Sequence, residues 1–576
     1  MAELSQIKNR EIADILYEVA DLLEIKGVQF KPRAYRRAAQ TIETLPDDIK
    51  AIYDRGALQE IPGIGASIAS KIQEIIETGS LEYLEELREE LPQGLRELME
   101  IEGLGPKTAL KLHRNLKISS INELEAAARS GKIRELEGFG EKTEQNILQS
   151  IEMYRSTQER FLLGYVLPIA KEIEEKLSTL DAVTQISLAG SIRRRKETVG
   201  DVDILVTSQQ PAKVMTFFTQ LSPVKRVLAK GKSKSTVVLT NNLQVDLRVM
   251  DEESFGAALQ YFTGSKEHNI RLRAMALDKN WKLSEYSLLD KETNETIAGK
   301  NEEEIYAALG LSYIEPELRE NRGEIEASSR GKLPHLIHYD EVKGDLHVHT
   351  TWSDGAHSIA EMAAAAKLLG YEYLAICDHA ETLQIAHGLT EEELHNQMRE
   401  IEKLNRTMDD FTVLSGVEVN IDADGKLDIR DDMLKDLDIA VAAVHSGFKQ
   451  SEAKMTQRVL TAMHNDHVDV IAHPTGRIIN KRDPYQIDLP KIFEAASELG
   501  VFMELNAFPN RLDLSDANCV QAKDHGLKIA IGTDAHHKDH LRYMEFGVAT
   551  ARRGWLEKKD ILNTSNLNEL RALLES

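Results

Sequence analysis

The sequence predicts a multidomain chain: an α-helical amino-terminal region, an α+β middle and a carboxyl-terminal parallel βα barrel. Three observations predict it. A Gly-x-Gly turn followed by a helical apolar period recurs three times before residue 150. Between about 160 and 320, strand-like runs (QISLAGS, DVDILVT, STVVLT, LQVDLRVM) mix with helical ones (AKEIEEKLSTL, SFGAALQYF). From 344 onward, short apolar runs ending in His, Asp or Glu alternate with helical stretches, as in a barrel whose ligands sit at strand C-termini.

The 576 residues suffice for three to five domains at roughly 100–200 residues each. Composition is that of a globular chain, 42% hydrophobic and 29% charged, so sizeable cores can form. No apolar run reaches the ~18 residues of a membrane span. The start, Met-Ala-Glu-Leu-Ser-Gln, lacks the basic and apolar segments of a signal peptide. Cys377 and Cys519 form no C-x-x-C pair, which fits a reducing cytoplasm. The net charge of −24 at first argues against nucleic acid, but its distribution is uneven. Residues 1–300 hold 42 Lys and Arg against 46 Asp and Glu; residues 301–576 hold 29 against 49; residues 151–250 hold 15 against 10. DNA affinity depends on a local basic surface rather than on the total.

The amino-terminal copies read IPGIGASIASKI (61–72), IEGLGPKTALKL (101–112) and LEGFGEKTEQNI (136–147). The sequence between them does not repeat, so a solenoid is not indicated. A Gly-rich turn opening a helix reads as helix-hairpin-helix. Glycines such as Gly63, Gly65, Gly103 and Gly105 let backbone approach a phosphate, and free N–H groups at the helix start donate to it. Such contacts carry no base specificity.

In the middle, GDVDILV places Asp201 and Asp203 two apart, hence on one face of a strand. VDLRV brings Asp246 on what should be a neighbouring strand. Three carboxylates on one sheet face can hold two hard cations, which activate an attacking oxygen and neutralise a leaving phosphate. GSIRRR (190–195) should end a strand and open a helix, a natural phosphate site at Gly190 and Ser191. Arg193, Arg194 and Arg195 beside it suit a triphosphate.

LAGSIRRRKETVGDVDILV, LQVDLRV and YFTGSKEHNIRLRAMAL followed by SEY resemble the palm and thumb of family X DNA polymerases. The resemblance covers about residues 1–320. It implies Asp201, Asp203 and Asp246 as catalytic Mg²⁺ ligands, and Gly190, Ser191, Arg194 and Gly200 against the incoming triphosphate. It also implies Tyr261, Phe262 and Gly264 around the sugar, and Asn269 and Arg273 near the nascent pair. In FKPRAYRRAA, Lys31 and Tyr35 match residues that bind a 5′-phosphate in a gap. Lys71 in IASKI stands at the position of a Schiff-base lyase lysine. The chain departs from the pattern at Ser67 and Gln244, and Lys71 also reads as an exposed helix lysine.

DLHVHTTWSDG (345–355) sets His347 and His349 two apart at a strand end, facing one metal, with Asp354 on the following loop. His379, Glu418, His445, His473, Asp534 and His536 each follow a short apolar run. Mixed imidazole and carboxylate donors suit Mn²⁺, Zn²⁺ or Fe²⁺ better than Mg²⁺. This half resembles the PHP phosphoesterases, a βα barrel, which implies two or three ions and removal of 3′ nucleotides. Arg477 is read either as a phosphate contact or as a surface residue.

The expected organisation is a helix-hairpin-helix 5′-phosphate-binding domain (1–90), fingers (91–155), an α+β nucleotidyltransferase palm (156–240) with its catalytic strand (241–250), a thumb (251–320), a linker (321–343) and a PHP barrel (344–576). The expected function is gap filling in DNA repair, with a separate 3′-5′ exonuclease and an associated lyase. The expected partners are gapped or primer-template DNA and deoxynucleoside triphosphates, with no membrane, for a monomer in the cytoplasm at the nucleoid. The alternative is a histidinol-phosphatase-like phosphoesterase with an accessory DNA-binding domain. A chain ending near residue 320 is expected to extend primers without degrading them.

Overall fold

A computed structural model of the chain describes residues 9–575 apart from 27, 29–30, 44–48, 62, 79–80, 82, 85–86, 88–97, 99–100, 102–103, 105, 137, 159, 381–382 and 384–385. It divides into two compact units, Met1–Gln158 and Glu159–Ser576.

The first unit is helical. In the helix Asn9–Ile25, Ile12, Leu16, Val19 and Leu23 recur at intervals of three and four residues, so they form one stripe. That stripe packs on Tyr35, Ala38 and Ile42 of the helix Lys31–Glu43. The helices Ala66–Thr78, Pro106–Leu116 and Glu141–Gln158 follow the three Gly-x-Gly motifs of the sequence and add their apolar faces to the same core.

The second unit opens with a five-stranded sheet: β1 (Gln185–Leu188), β2 (Asp201–Thr207), β3 (Val224–Lys230), β4 (Lys234–Leu239) and β5 (Gln244–Met250). Their spatial order is β1-β2-β5-β4-β3, with β2 and β5 parallel and the other neighbours antiparallel. The β2–β5 register pairs Asp203 with Asp246. Alternation along β2 puts Asp201 on the same face, so local period and pairing together converge three carboxylates. The helices Phe255–Thr263, Lys266–Asp278 and Glu302–Leu309 and the small sheet β6 (Trp281–Leu283), β7 (Leu288–Asp290), β8 (Thr296–Ala298) make up the next layer.

Seven parallel strands then run in sequential order: β9 (Gly344–Val348), β10 (Tyr373–Ile376), β11 (Thr412–Asn420), β12 (Ile439–Ala443), β13 (Val470–Ile471), β14 (Phe502–Asn506) and β15 (Ile529–Gly532). Val348 bridges Ala535, and the Asp534 N–H donates to the His347 carbonyl at 2.9 Å, so the sheet nearly closes into a barrel. Helix starts are written locally: Ser358 with Glu361 and Thr390 with Glu393 form reciprocal capping boxes.

The segment 321–343, expected as a linker, is packed. Glu324, in the helix Glu324–Ser329, is fully buried and accepts from His268 Nδ1 at 2.6 Å. Ile325 and Leu336 belong to the core beneath β6–β8, while Ile337 and Val342 belong to the barrel core. The barrel also completes the five-stranded sheet. Leu512 and Phe546 sit in its core, and Arg552 binds Glu317 at 2.7 Å. Buried Arg553 donates to the Arg194 carbonyl at 2.7 Å and to Glu320 at 3.0 Å. This changes the expectation for a chain ending near 320. Exposing neighbours of side chains like Leu512 and Phe546 costs about 2 kcal/mol each. The shortened chain should therefore melt well below the full-length protein and lose extension in proportion. Equal melting temperatures would show that the shared core does not matter.

Among the described residues no helix is long and apolar enough to cross a membrane. Cys377 and Cys519 are free and buried.

Two candidate metal centres

In the five-stranded sheet, Asp201 is exposed, Asp203 half-buried and Asp246 buried. Burial, then the charges of Asp201 and Asp246, push the Asp203 carboxyl up to about 6. Mutual repulsion of this kind is what a bound cation relieves, so the donor set fits hard divalent ions. Lys234 Nζ lies 2.6 Å from Asp246 Oδ2. Gly190 has φ +65°, and a Cβ there would fall 2.8 Å from Asp203 Oδ2, so only glycine suits that turn. The short helix Gly190–Arg193 starts directly over the carboxylates and carries Ser191.

The arginine run is not a solvated face. Arg193 binds Glu302 at 2.6 Å and the Thr263 hydroxyl at 2.6 Å. Arg194 binds Glu320 at 3.1 Å and the Thr263 carbonyl, and burial holds its guanidinium below the usual range. Arg195 lies 5.8 Å over the Tyr339 ring. A Cβ on Gly264 would meet Arg194 Nη1 at 3.1 Å, so the helix-ending glycine keeps that arginine close. Tyr261 and Phe262 meet edge to face, and Arg248 stacks 4.3 Å over Phe262. Asn269 is engaged with Gln260 and with the Tyr261 carbonyl, both at 2.7 Å, and Arg273 Nε donates to the Asn269 carbonyl at 3.2 Å. Gly200 directly precedes β2.

In the amino-terminal unit, Lys31 is exposed at the start of its helix, whereas the Tyr35 ring is buried. Burial, then Tyr83, raise the Tyr35 hydroxyl to about 12. Lys71 Nζ lies 4.8 Å over the Tyr83 ring. Gly63 has φ +84°, as the hairpin turn requires, and Arg37 lies across it. Gly65 is exposed beside it. Gly103 and Gly105 lie outside the described residues.

At the barrel's strand ends the nine expected donors converge. His349, Asp354, His379 and His536 form one set of ligand atoms within 4.8 Å of one another; His347, His349 and Asp534 form a second; His379, Glu418 and His445 a third. His473 joins through Nε2, 3.0 Å from Glu418 Oε1. His347 Nε2 and His349 Nε2 face each other at 3.1 Å, and buried His349 Nδ1 has no hydrogen-bond partner among the described residues. Facing imidazole nitrogens fit a cation between them. Burial alone would raise the Glu418 carboxyl, but His445, His379 and His347 outweigh it and hold it well below the usual range. The set suits several divalent cations rather than one.

Family models match between residues 7 and 508: a helix-hairpin-helix domain (7–81), a SAM-like helix-hairpin-helix tandem (95–152), a DNA polymerase beta palm (166–273), a DNA polymerase beta thumb (258–320) and a PHP domain (345–508). The DNA polymerase/3′-5′ exonuclease PolX of Bacillus subtilis (strain 168) is 41% identical over 569 residues, 98% of this chain and 99% of that relative. The chain belongs to the family X DNA polymerases that carry a PHP domain. Probable phosphatases of Thermoanaerobacter sp. (strain X514) and Acetivibrio thermocellus match over about a third of the chain. They are 32% identical over 38% of this chain and 89% of the relative, and 33% identical over 33% and 78%.

Within this family X chain, several site residues escape sequence reading. Glu504 on β14 accepts from His347 Nδ1 at 2.7 Å and from the His473 N–H at 2.6 Å. Asp378 gathers Thr350, Ser353 and Gln397 at 2.5–2.7 Å and so fixes the loop that carries Asp354. Asn420 fixes His445 through Nδ1 at 2.5 Å. Such partners orient metal-ligating imidazoles. The ending of VFMELN, an apolar run closing on Glu and Asn, was the available signal for Glu504. Arg477 is not a surface residue: its side chain is mostly buried, and it binds Glu197 of the palm at 2.7 Å and the Leu512 carbonyl.

Proposed function

We propose that the chain fills short gaps in DNA by template-directed nucleotide addition and trims DNA 3′ ends in a separate PHP site. The observation that carries this reading is the pairing, in one chain, of the register-matched Asp201, Asp203 and Asp246 with a barrel holding nine convergent donors. Full-length similarity to a polymerase/exonuclease supports it over a metabolic phosphatase with an accessory DNA domain.

In the palm, Asp201, Asp203 and Asp246 would hold Mg²⁺, which supplies charge neutralisation and a more acidic attacking hydroxyl. Gly190, Ser191, Arg194 and Gly200 receive the triphosphate of a deoxynucleotide. Arg194 reaches it by exchanging its Glu320 contact for phosphate. Tyr261, Phe262 and Gly264 bound the sugar, and Asn269 and Arg273 border the nascent pair. In the barrel the nine donors would hold two or three of Mn²⁺, Zn²⁺ or Fe²⁺, which supply a hydroxide near neutral pH. The chain acts as a monomer in the cytoplasm. The proposed domain divisions are the expected ranges, with 321–343 as a packed connector. Metal analysis paired with extension and degradation on one gapped substrate tests the whole reading; extension without any 3′ shortening would remove its second half.

The amino-terminal unit binds the downstream 5′-phosphate of a gap through Lys31, the Tyr35 hydroxyl and the glycines Gly63, Gly65, Gly103 and Gly105. Lys71 is the lyase nucleophile, with Tyr83 against its ammonium. A gap with a 5′-phosphate should therefore bind more tightly than one ending in a hydroxyl, with a steeper salt dependence by about one counterion per added contact. Equal affinities and slopes in a fluorescence anisotropy titration would exclude this pocket.

A further inference from the structure

Arg553 ends the helix Met544–Arg553 of the barrel and is buried. Its guanidinium is held by three acceptors. Nη1 donates to the Arg194 carbonyl at 2.7 Å and to Glu320 Oε1 at 3.0 Å, and Nη2 donates to Asp516 Oδ2 at 2.7 Å. Asp516 also accepts from Arg322 at 3.1 Å, so it is held from a second side. Arg553 is therefore an anchored cation rather than one free to swing away.

Glu320 joins this cation to the palm. Arg194 Nε donates at 3.1 Å to the same Oε1 that Arg553 binds. The side chains of Arg194 and Glu320 are each only 13% exposed, so solvent does little to replace either partner. Among the described residues these two arginines are the cations paired with Glu320. Burial alone would raise the Glu320 carboxyl, but Arg553 and then Arg194 outweigh it and hold it below the usual range. Arg194 can turn to a phosphate only by leaving Glu320. A buried carboxylate abandoned by its sole partner is strongly destabilised. With Arg553 in place, Glu320 keeps a charge-assisted hydrogen bond, and the release of Arg194 costs far less. The Arg553 bond to the Arg194 carbonyl meanwhile holds the backbone, so only the Arg194 side chain has to move.

We propose that Arg553, a residue of the barrel, is a positioning residue for nucleotide addition: it retains Glu320 when Arg194 turns to the incoming triphosphate. It rests on the reading of Arg194 as a triphosphate contact and adds the residue that makes its release possible. The barrel thereby serves the polymerase site through a helix that carries none of the nine donors.

The test uses full-length protein: wild type, Arg553→Met, Arg553→Lys, Glu320→Gln, Arg553→Met combined with Glu320→Gln, and Arg194→Met. Three quantities are measured: melting temperature, calorimetric affinity for the matching deoxynucleoside triphosphate with Mg²⁺, and kcat and KM for filling a single-nucleotide gap. The calorimetry uses a gapped duplex whose primer ends in a dideoxynucleotide. Arg553→Met should weaken nucleotide binding about tenfold or more, because Arg194 becomes the sole partner of a buried carboxylate. The loss should appear mainly in KM, as for a contact made before and in the transition state alike. Arg553→Lys should fall between, keeping charge without the fork. Glu320→Gln should bind nucleotide at least as tightly as wild type, since a neutral amide holds Arg194 less. The combined variant should recover affinity to within about threefold of wild type, a coupling that a merely structural role would not produce. Unchanged affinity in Arg553→Met would overturn the proposal. So would a loss that Glu320→Gln does not restore, or one that only follows the melting temperature across Arg553→Met and Arg553→Lys. If Arg194→Met weakens nucleotide binding while Arg553→Met equals wild type, the proposal falls and the reading of Arg194 stands. If Arg194→Met binds nucleotide as wild type does, that reading falls and takes the role of Arg553 with it.

Discussion

Primer extension by the Asp203→Ala variant is expected to fall by at least about a thousandfold, while shortening of 3′ ends continues at the wild-type rate. Asp203 sits between Asp201 on its own strand and Asp246 on the next. It shares its cations with both, so its removal disturbs the whole carboxylate set. Losing one carboxylate from a two-metal site forfeits transition-state charge stabilisation of about 4 kcal/mol, and each 1.36 kcal/mol is about tenfold in rate. Folding should survive, because the change removes a carboxyl that burial, then the charges of Asp201 and Asp246, push up to about 6. Single-turnover extension with Mg²⁺ on a gapped duplex measures the effect. A rate within tenfold of wild type would remove these three residues from catalysis.

His349→Ala should do the converse. His349 belongs to two of the three ligand sets in the barrel, so its loss weakens two cation positions together. Even outer partners of metal ligands are worth about 10–100-fold, and a shared ligand is worth more. The expected outcome is at least about a thousandfold loss of 3′ shortening, a fall in bound metal, and extension with Mg²⁺ unchanged. Adding chelator and then restoring Mg²⁺ alone should copy the variant, since Mg²⁺ avoids imidazole. If His349→Ala still shortens primers at the wild-type rate, the nuclease lies outside the barrel.

Both centres were legible because their donors obey short-range rules. Asp201 and Asp203, like His347 and His349, stand two apart on strands, and alternation alone puts each pair on one face. The glycine turns announce themselves because positive φ at Gly63 and Gly190 leaves little choice of residue. The neighbours of these groups were less legible. Glu504 reaches His347 across 157 residues, and Asp345 meets Thr533 across 188. Lys234 finds Asp246 only through pairing of β4 with β5. Nothing local marks such residues, since an acidic side chain in a strand is as often solvated.

The sequence by itself determined which carboxylates and imidazoles gather in each cluster, their order along the chain and the helical, α+β and barrel character of the three regions. Spacings of two, three and four residues decide those features before any long-range contact forms. Only the tertiary structure decided that the barrel and the palm share a core. Arg477 meets Glu197 across 280 residues, Arg553 meets the Arg194 backbone across 359, and 321–343 is packed into two cores instead of hanging between them. Each of these depends on desolvating partners far apart in the chain. Their charge and apolarity are visible in one dimension, but their pairing is set by how the layers come together.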